Sequence, residues 1–159
     1  MSQIIKFFED CKLESYQDSA GVWTIGWGST KNVKAGMKIT QEEADKRLEE
    51  DLKDAEDRVR KALPNIYFSK NELEALISLA YNLRSFEMLV SYLPDRGKFK
   101  KKMLLYCRDI KGNFLKGLKI RRIAERLLFE GREWSDIAKE LQKKNVSVIT
   151  EEERKLFYV

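Results

Sequence analysis

Apolar residues fall at two periodicities along this chain, and the changes between them mark its elements. Ile4, Ile5, Phe8 and Cys11 recur at helical spacing. They predict a first helix over residues 2–11, with Glu9 beside its buried stripe. An extended stretch follows and ends at Asp18. Gly21 predicts a turn, because glycine visits positive φ freely. Val22, Trp23, Thr24 and Ile25 are β-branched or aromatic and suit a strand. The small β region is expected to run to about residue 39, with Gly36 as a second turn point.

Beyond it the period is helical throughout. Ala44, Leu48, Leu52, Ala55, Val59 and Leu63 define a long amphipathic helix over residues 41–63. Thr40 and Glu43 form a capping box at its start, and Pro64 stops it. Ser69 and Glu72 form a second box. Leu73, Leu76, Ile77, Ala80 and Leu83 then give the apolar face of a core helix. A short helix over residues 86–93 is expected to end at Pro94 and Gly97. Phe99, Met103, Leu104 and Cys107 predict a lysine-rich helix after it. Trp134 to Leu141 predicts a helix capped by Ser135, and Thr150 with Glu153 predicts a last short one. Two helices joined by a short turn resemble a DNA-binding helix-turn-helix, but packing of both against the preceding helices explains the pattern as well.

A length of 159 residues suits one domain with a real core. The net charge of +5 is unevenly spread. Residues 41–57 carry nine acids and three bases, and residues 96–126 carry twelve bases and two acids. The basic half suits an anionic partner such as nucleic acid or a bacterial envelope, although lysine-rich helix faces are often only solvated. Two cysteines and no histidine give neither a disulfide framework nor a zinc site, and both thiols are expected to be buried. No metal or cofactor is expected. Charge at Glu9 and Asp10 arrives too early for a secretory leader, and no run approaches the ~20 apolar residues of a membrane span. The expectation is a chain made in a reducing cytoplasm that does not insert into membranes.

The first 30 residues carry the candidate chemistry. Glu9 lies near the end of an apolar helix, Asp18 at a turn, and Thr24 on the strand beyond it. Two carboxyl groups and a hydroxyl around one point suit glycoside hydrolysis. One acid protonates the leaving oxygen, and a second carboxylate activates water or attacks the sugar carbon. Partial burial raises a glutamate's pKa, whereas an aspartate in a wet turn stays ionised.

The spacing Glu9, eight residues, Asp18, five residues, Thr24 resembles the active-site pattern of the phage-type lysozymes, as do Leu13, Tyr16, Gly21 to Gly26 and Gly28 around it. A second segment is also similar to that family: Gly117-Leu118, two residues, Arg121-Arg122, two residues, Glu125. Arg121 or Arg122 either faces the cleft or lies on the helix surface and pairs with Glu125 and Glu130. The resemblance spans about residues 4–131. It implies a mostly helical α+β, two-lobed fold: a small lobe at about 12–40 with helix one, a linking helix at 41–63, a helical lobe at about 69–131, and an extension at 132–159. It implies a muramidase acting on the β-1,4 bonds of peptidoglycan glycan strands. Glu9 would be the general acid, Asp18 would activate or position the attacking group, and Thr24 would orient a water. Such an enzyme is expected to act as a monomer at the cell wall after release or delivery, with nucleic acid an unlikely partner.

The chain departs from the family pattern in four places. Asp10 follows Glu9 where glycine is usual, and Ser29 stands where histidine is usual. Arg84 replaces a glycine, and Cys107 a tryptophan. Asp10 either raises the pKa of Glu9 by repulsion or points away into water. Asp10 and Ser29 motivate an alternative, a catalytically retired lysozyme-fold protein that binds or scaffolds peptidoglycan.

Overall fold

A computed structural model describes residues 2–18, 20–108 and 111–142. The expected capping box at Thr150 and its helix lie outside them. The chain divides into two compact units, the first ending at Lys61 and the second starting at Ala62.

The first unit holds α1 (Ser2–Phe8), β1 (Lys12–Gln17), β2 (Trp23–Gly26) and α2 (Gln41–Ala62). Helix α1 stops at Phe8, three residues short of the expected end. The Glu9 amide still donates to the Ile5 carbonyl at 2.9 Å, so Glu9 closes the last turn. The chain must then extend, because Lys12 already pairs with Gly26. Cys11 is therefore half-buried in the connection and not in the helix core, which corrects the expectation of two buried thiols.

Strands β1 and β2 form an antiparallel hairpin in which Tyr16 faces Thr24 and Gln17 faces Trp23. Residues 37–39 run along the other edge of β1: the Ser15 amide donates to the Met37 carbonyl at 2.8 Å and the Ile39 amide to the Leu13 carbonyl at 2.9 Å. Gly26 has φ +64°, and a Cβ there would stand 3.3 Å from the Cβ of Ala44. A side chain at that position would crowd α2 and strain the left-handed backbone.

Helix α2 begins as expected. The Thr40 amide donates to Glu43 Oε2 at 2.7 Å, and the Glu43 amide donates to Thr40 Oγ1 at 3.1 Å. The expected stripe at Ala44, Leu48, Leu52, Ala55, Val59 and Leu63 is buried.

The second unit comprises α3 (Lys70–Asn82), α4 (Phe86–Val90), α5 (Arg96–Met103), α6 (Lys116–Phe129) and α7 (Trp134–Gln142). Helix α3 opens with the reciprocal Ser69–Glu72 box and is buried from Glu74 to Ala80, the profile of a core helix. Helix α4 ends at Val90, three residues early, where the chain turns towards Pro94. Gly97 does not terminate anything: it lies inside α5, because Asp95 caps that helix by accepting the Lys98 amide at 2.9 Å. Cys107 lies beyond α5, in a loop where its carbonyl accepts the Leu115 amide. Ser135 is not a cap either, since α7 starts at Trp134.

Helices α3 and α6 pack against each other. Their shared interior holds charge as well as apolar groups. Arg121, Arg122 and Glu125 are 3%, 0% and 0% exposed. Arg121 Nε lies 3.3 Å and Arg122 Nη1 3.1 Å from the Glu125 carboxylate, which also accepts from Ser78 Oγ at 2.6 Å. Arg122 Nη2 donates to Asn82 Oδ1. Neither arginine is a surface residue, which corrects that reading, while the pairing with Glu125 holds. Glu125→Ala should cost about 3–5 kcal/mol, because both guanidiniums lose their buried counter-charge. Urea unfolding of the two proteins measures it; a loss under about 1 kcal/mol contradicts the role given to the cluster.

Candidate functional site

All three candidate residues belong to the first unit. Glu9 closes α1 and is half-buried. Asp18 directly follows β1, and Thr24 lies on β2, 4% exposed. Tyr16 connects them. It is the cross-strand partner of Thr24. Burial raises the pKa of its phenol, and the negative charges of Glu9, Asp18 and Asp10 raise it further. Three carboxylates therefore lie within electrostatic reach of one hydroxyl. The Lys12 ammonium sits 4.1 Å from the centre of the same ring, a cation–π contact on the acidic group's flank.

Asp18 has two tasks. Its Oδ1 accepts the Ala20 amide at 2.8 Å and the Val22 amide at 2.9 Å. Its backbone closes the hairpin, with the Asp18 amide donating to the Val22 carbonyl and the Gly21 amide to the Asp18 carbonyl. Gly21, at φ +78°, supplies the left-handed position of that turn. The second oxygen, Oδ2, takes no part in these two bonds. Thr24 donates its single hydroxyl proton to the Val22 carbonyl at 3.0 Å. Its oxygen lone pairs can then only accept, for example from a water.

Two further carboxylates, both on α2, hold this arrangement together. Asp45 Oδ1 accepts from Lys6 Nζ at 2.7 Å, Trp27 Nε1 at 2.8 Å and Gln41 Nε2 at 3.4 Å. Lys6 also lies 5.1 Å from the Trp27 ring centre. One oxygen thus joins α1, the end of the hairpin and α2. Ser29, 3% exposed, donates to Asp51. The serine at the expected histidine position is therefore a working polar contact. Ser29 and Asp51 also line a 360 Å³ cavity, whose lining includes none of Glu9, Asp18 or Thr24.

The sequence reading missed Tyr16 as a site residue, although it stood inside the quoted motif. It missed Asp45 and Asp51 because each is one acid among many on an acidic helix. Among the described residues, no group of three or more His, Cys, Asp or Glu is placed to hold a metal ion. No described helix is long and apolar enough to cross a membrane.

Residues 6–125 match the phage lysozyme family. The chain is 35% identical over 128 residues to an endolysin of Lactococcus phage c2, covering 79% of this chain and 56% of that protein. It therefore spans little more than half the length of that relative. An endolysin of Acyrthosiphon pisum secondary endosymbiont phage 1 is 31% identical over 136 residues, covering 80% of this chain and 92% of that one. The structure of an endolysin from Escherichia coli O157:H7 phage FAHEc1 matches with a TM-score of 0.68 at 33% identity, covering 80% and 89% of the two chains.

The geometry predicts two outcomes. Asp18→Asn should leave thermal stability nearly unchanged, since its amide oxygen still accepts both backbone donors. Asp18→Ala should lose about 1–3 kcal/mol as those donors go unpaired; equal melting temperatures for the two variants would contradict the brace. The junction acids should differ in sign. Hydrogen bonds from Lys6 and Trp27 outweigh desolvation and lower the Asp45 pKa, so its contribution is present above the unfolded value of about 3.9 and fades as pH falls through the folded pKa. Burial, only partly offset by Ser29, raises that of Asp51, so ionised Asp51 opposes folding as pH rises through its folded pKa. At pH 7, Asp45→Asn should melt below the parent and Asp51→Asn above it, with both differences shrinking at pH 3. Melting curves at the two pH values decide this.

Proposed function

The chain belongs to the phage lysozyme family, and on that premise we propose that it is a muramidase hydrolysing the β-1,4 bond between N-acetylmuramic acid and N-acetylglucosamine in peptidoglycan. The observation that carries the reading is the hairpin that pairs Tyr16 with Thr24 and fixes Asp18 by two amides, with Glu9 in electrostatic reach of the same phenol. Glu9 is the general acid that protonates the glycosidic oxygen as the bond to the sugar carbon breaks. Thr24 accepts a hydrogen bond from the attacking water, because its own proton is committed to Val22. Asp18 Oδ2 takes the water's proton as the new bond forms on the opposite face, the inverting course. Oδ1 meanwhile stays fixed by two amides, so the base does not have to be ordered on substrate binding.

In this reading the two compact units are the two lobes of one lysozyme-like domain. The protein works as a monomer at the cell wall, on glycan strands and not on nucleic acid. The Ser29–Asp51 contact favours a working enzyme over a retired one, because the polar role expected of the usual histidine is still filled.

Release of reducing ends from purified peptidoglycan tests the proposal. Glu9→Gln should lower the rate by ~10²–10⁴, the typical contribution of a general acid, with unfolding almost unchanged. Wild-type rates in that variant would remove Glu9 from the role. Wall binding without release by the parent would favour the retired protein.

A further inference from the structure

The 360 Å³ cavity of the first unit, which takes in Ser29 and Asp51, is not used by the reaction above. One of its walls is α2, which supplies Arg47 and Asp51, four residues apart and so on one helix face. The other is the segment 37–39, which supplies Met37 and Ile39. That segment is fixed to β1. The Ser15 amide donates to the Met37 carbonyl at 2.8 Å, and the Met37 amide donates to Ser15 Oγ at 3.0 Å. Both walls therefore stand before any ligand arrives, and the volume is that of a small-ligand site, a range that starts at about 300 Å³.

The lining carries charges of both signs, and much of its exposed rim is already engaged. Lys31 lies 3.7 Å from Asp54, Lys38 pairs with Glu14 at 2.6 Å, and Glu43 accepts the Thr40 amide at 2.7 Å. Lys46 and Glu50 add one charge of each sign, and Asn32 adds a neutral amide. Deeper in, the half-buried Arg47 gives Nη1 to the Lys31 carbonyl at 3.1 Å, which holds its guanidinium against the loop. A guanidinium has five N–H donors, and that bond uses one. Asp51 is half-buried and accepts the Ser29 hydroxyl at Oδ2, a bond in which Oδ1 takes no part. Burial raises the Asp51 pKa, and Ser29 with the charges of Arg47 and Lys31 only partly offsets it, so the protein leaves the ionised carboxylate undercompensated.

The inner lining thus offers one guanidinium, one carboxylate and two apolar side chains. A bare anion there faces Asp51, and a bare cation faces Arg47. A group with an ammonium and a carboxylate on one carbon satisfies both at once, with an aliphatic chain against Met37 and Ile39. We propose that this cavity binds such an amino-acid head, the free end of the diamino acid in a peptidoglycan stem peptide, with Asp51 taking the ammonium and Arg47 the carboxylate. The source of that ligand rests on the muramidase reading. The site then selects walls whose diamino acid carries both charges over walls whose diamino acid ends in an ammonium alone.

The test is calorimetric binding of two tripeptides to the full chain. One is L-alanyl-γ-D-glutamyl-meso-diaminopimelate. The other ends in L-lysine, whose side-chain ammonium has no carboxylate beside it. The parent should bind the first about ten-fold more tightly, and Asp51→Asn and Arg47→Gln should each weaken that binding about five-fold or more, since each removes a charge-assisted contact. Lys53→Gln, an exposed residue of α2 outside the lining, should change affinity by less than about two-fold, as expected of a screened surface charge. Arg47→Lys keeps the charge and loses the fork, so its affinity should fall between those of the parent and Arg47→Gln. It also decides the role of Arg47 if the glutamine variant melts early. No binding by the parent overturns the proposal, as does equal affinity for the two tripeptides or an equal loss in Lys53→Gln. Free leucine carries the same head without the peptide; binding as tight as that of the first tripeptide reassigns the cavity to a soluble amino acid and overturns the wall assignment. Reducing-end release by the same preparation separates the two readings. Release without tripeptide binding removes this site alone, and tripeptide binding without release removes the hydrolase alone.

Discussion

One oxygen atom fixes the geometry of the first unit. Asp45 Oδ1 receives an ammonium from α1, an indole from the end of the hairpin and an amide from its own helix. Without it, α1 is seven residues long and would be marginal alone, since short helices depend on tertiary packing. Ile4 and Ile5 anchor its inner face, but an apolar contact fixes neither rotation nor register to the accuracy a proton transfer needs. The directional contacts of Lys6 and Trp27 with one carboxylate do. Glu9 follows Lys6 by less than one turn, so its position inherits theirs.

The second unit solves a similar problem with buried charge. Two arginines and a glutamate share the interior between α3 and α6, tied to Ser78 and Asn82. Apolar residues of similar volume would pack as well or better. A charged cluster instead admits few arrangements, because each group must find its partners. It ties α6 to α3 at two points, Ser78 and Asn82.

Much of this was legible from periodicity. The stripe of α2, both capping boxes and the hairpin at Gly21 follow from local rules, and each is where those rules put it. Element ends were less legible. Phe8 ends α1 because Lys12 must pair with Gly26, a contact that spacing does not reveal. Asp95 starts α5 ahead of Gly97, so a residue read as a stop became interior. The candidate triad came from resemblance to a family pattern, since the spacing of two acids and a hydroxyl is by itself only suggestive. Its supports were not legible, since Asp45 and Asp51 differ from the other acids of α2 only in what lies opposite them. The burial of Arg121 and Arg122 escaped for the same reason: a guanidinium reads as surface until its counter-charge is located.

In the proposed mechanism Asp18 divides its carboxylate between architecture and water. One oxygen ties the turn, and the other takes the proton of the attacking water. Drift at this position is therefore policed twice, by folding as well as by activity, and few replacements satisfy both. Glu9 contributes the closing amide of α1 to the framework, a bond that any side chain at that position would keep. A lineage of such proteins that abandoned hydrolysis would be expected to keep the aspartate and lose the glutamate, leaving the hairpin as the relic of the former enzyme.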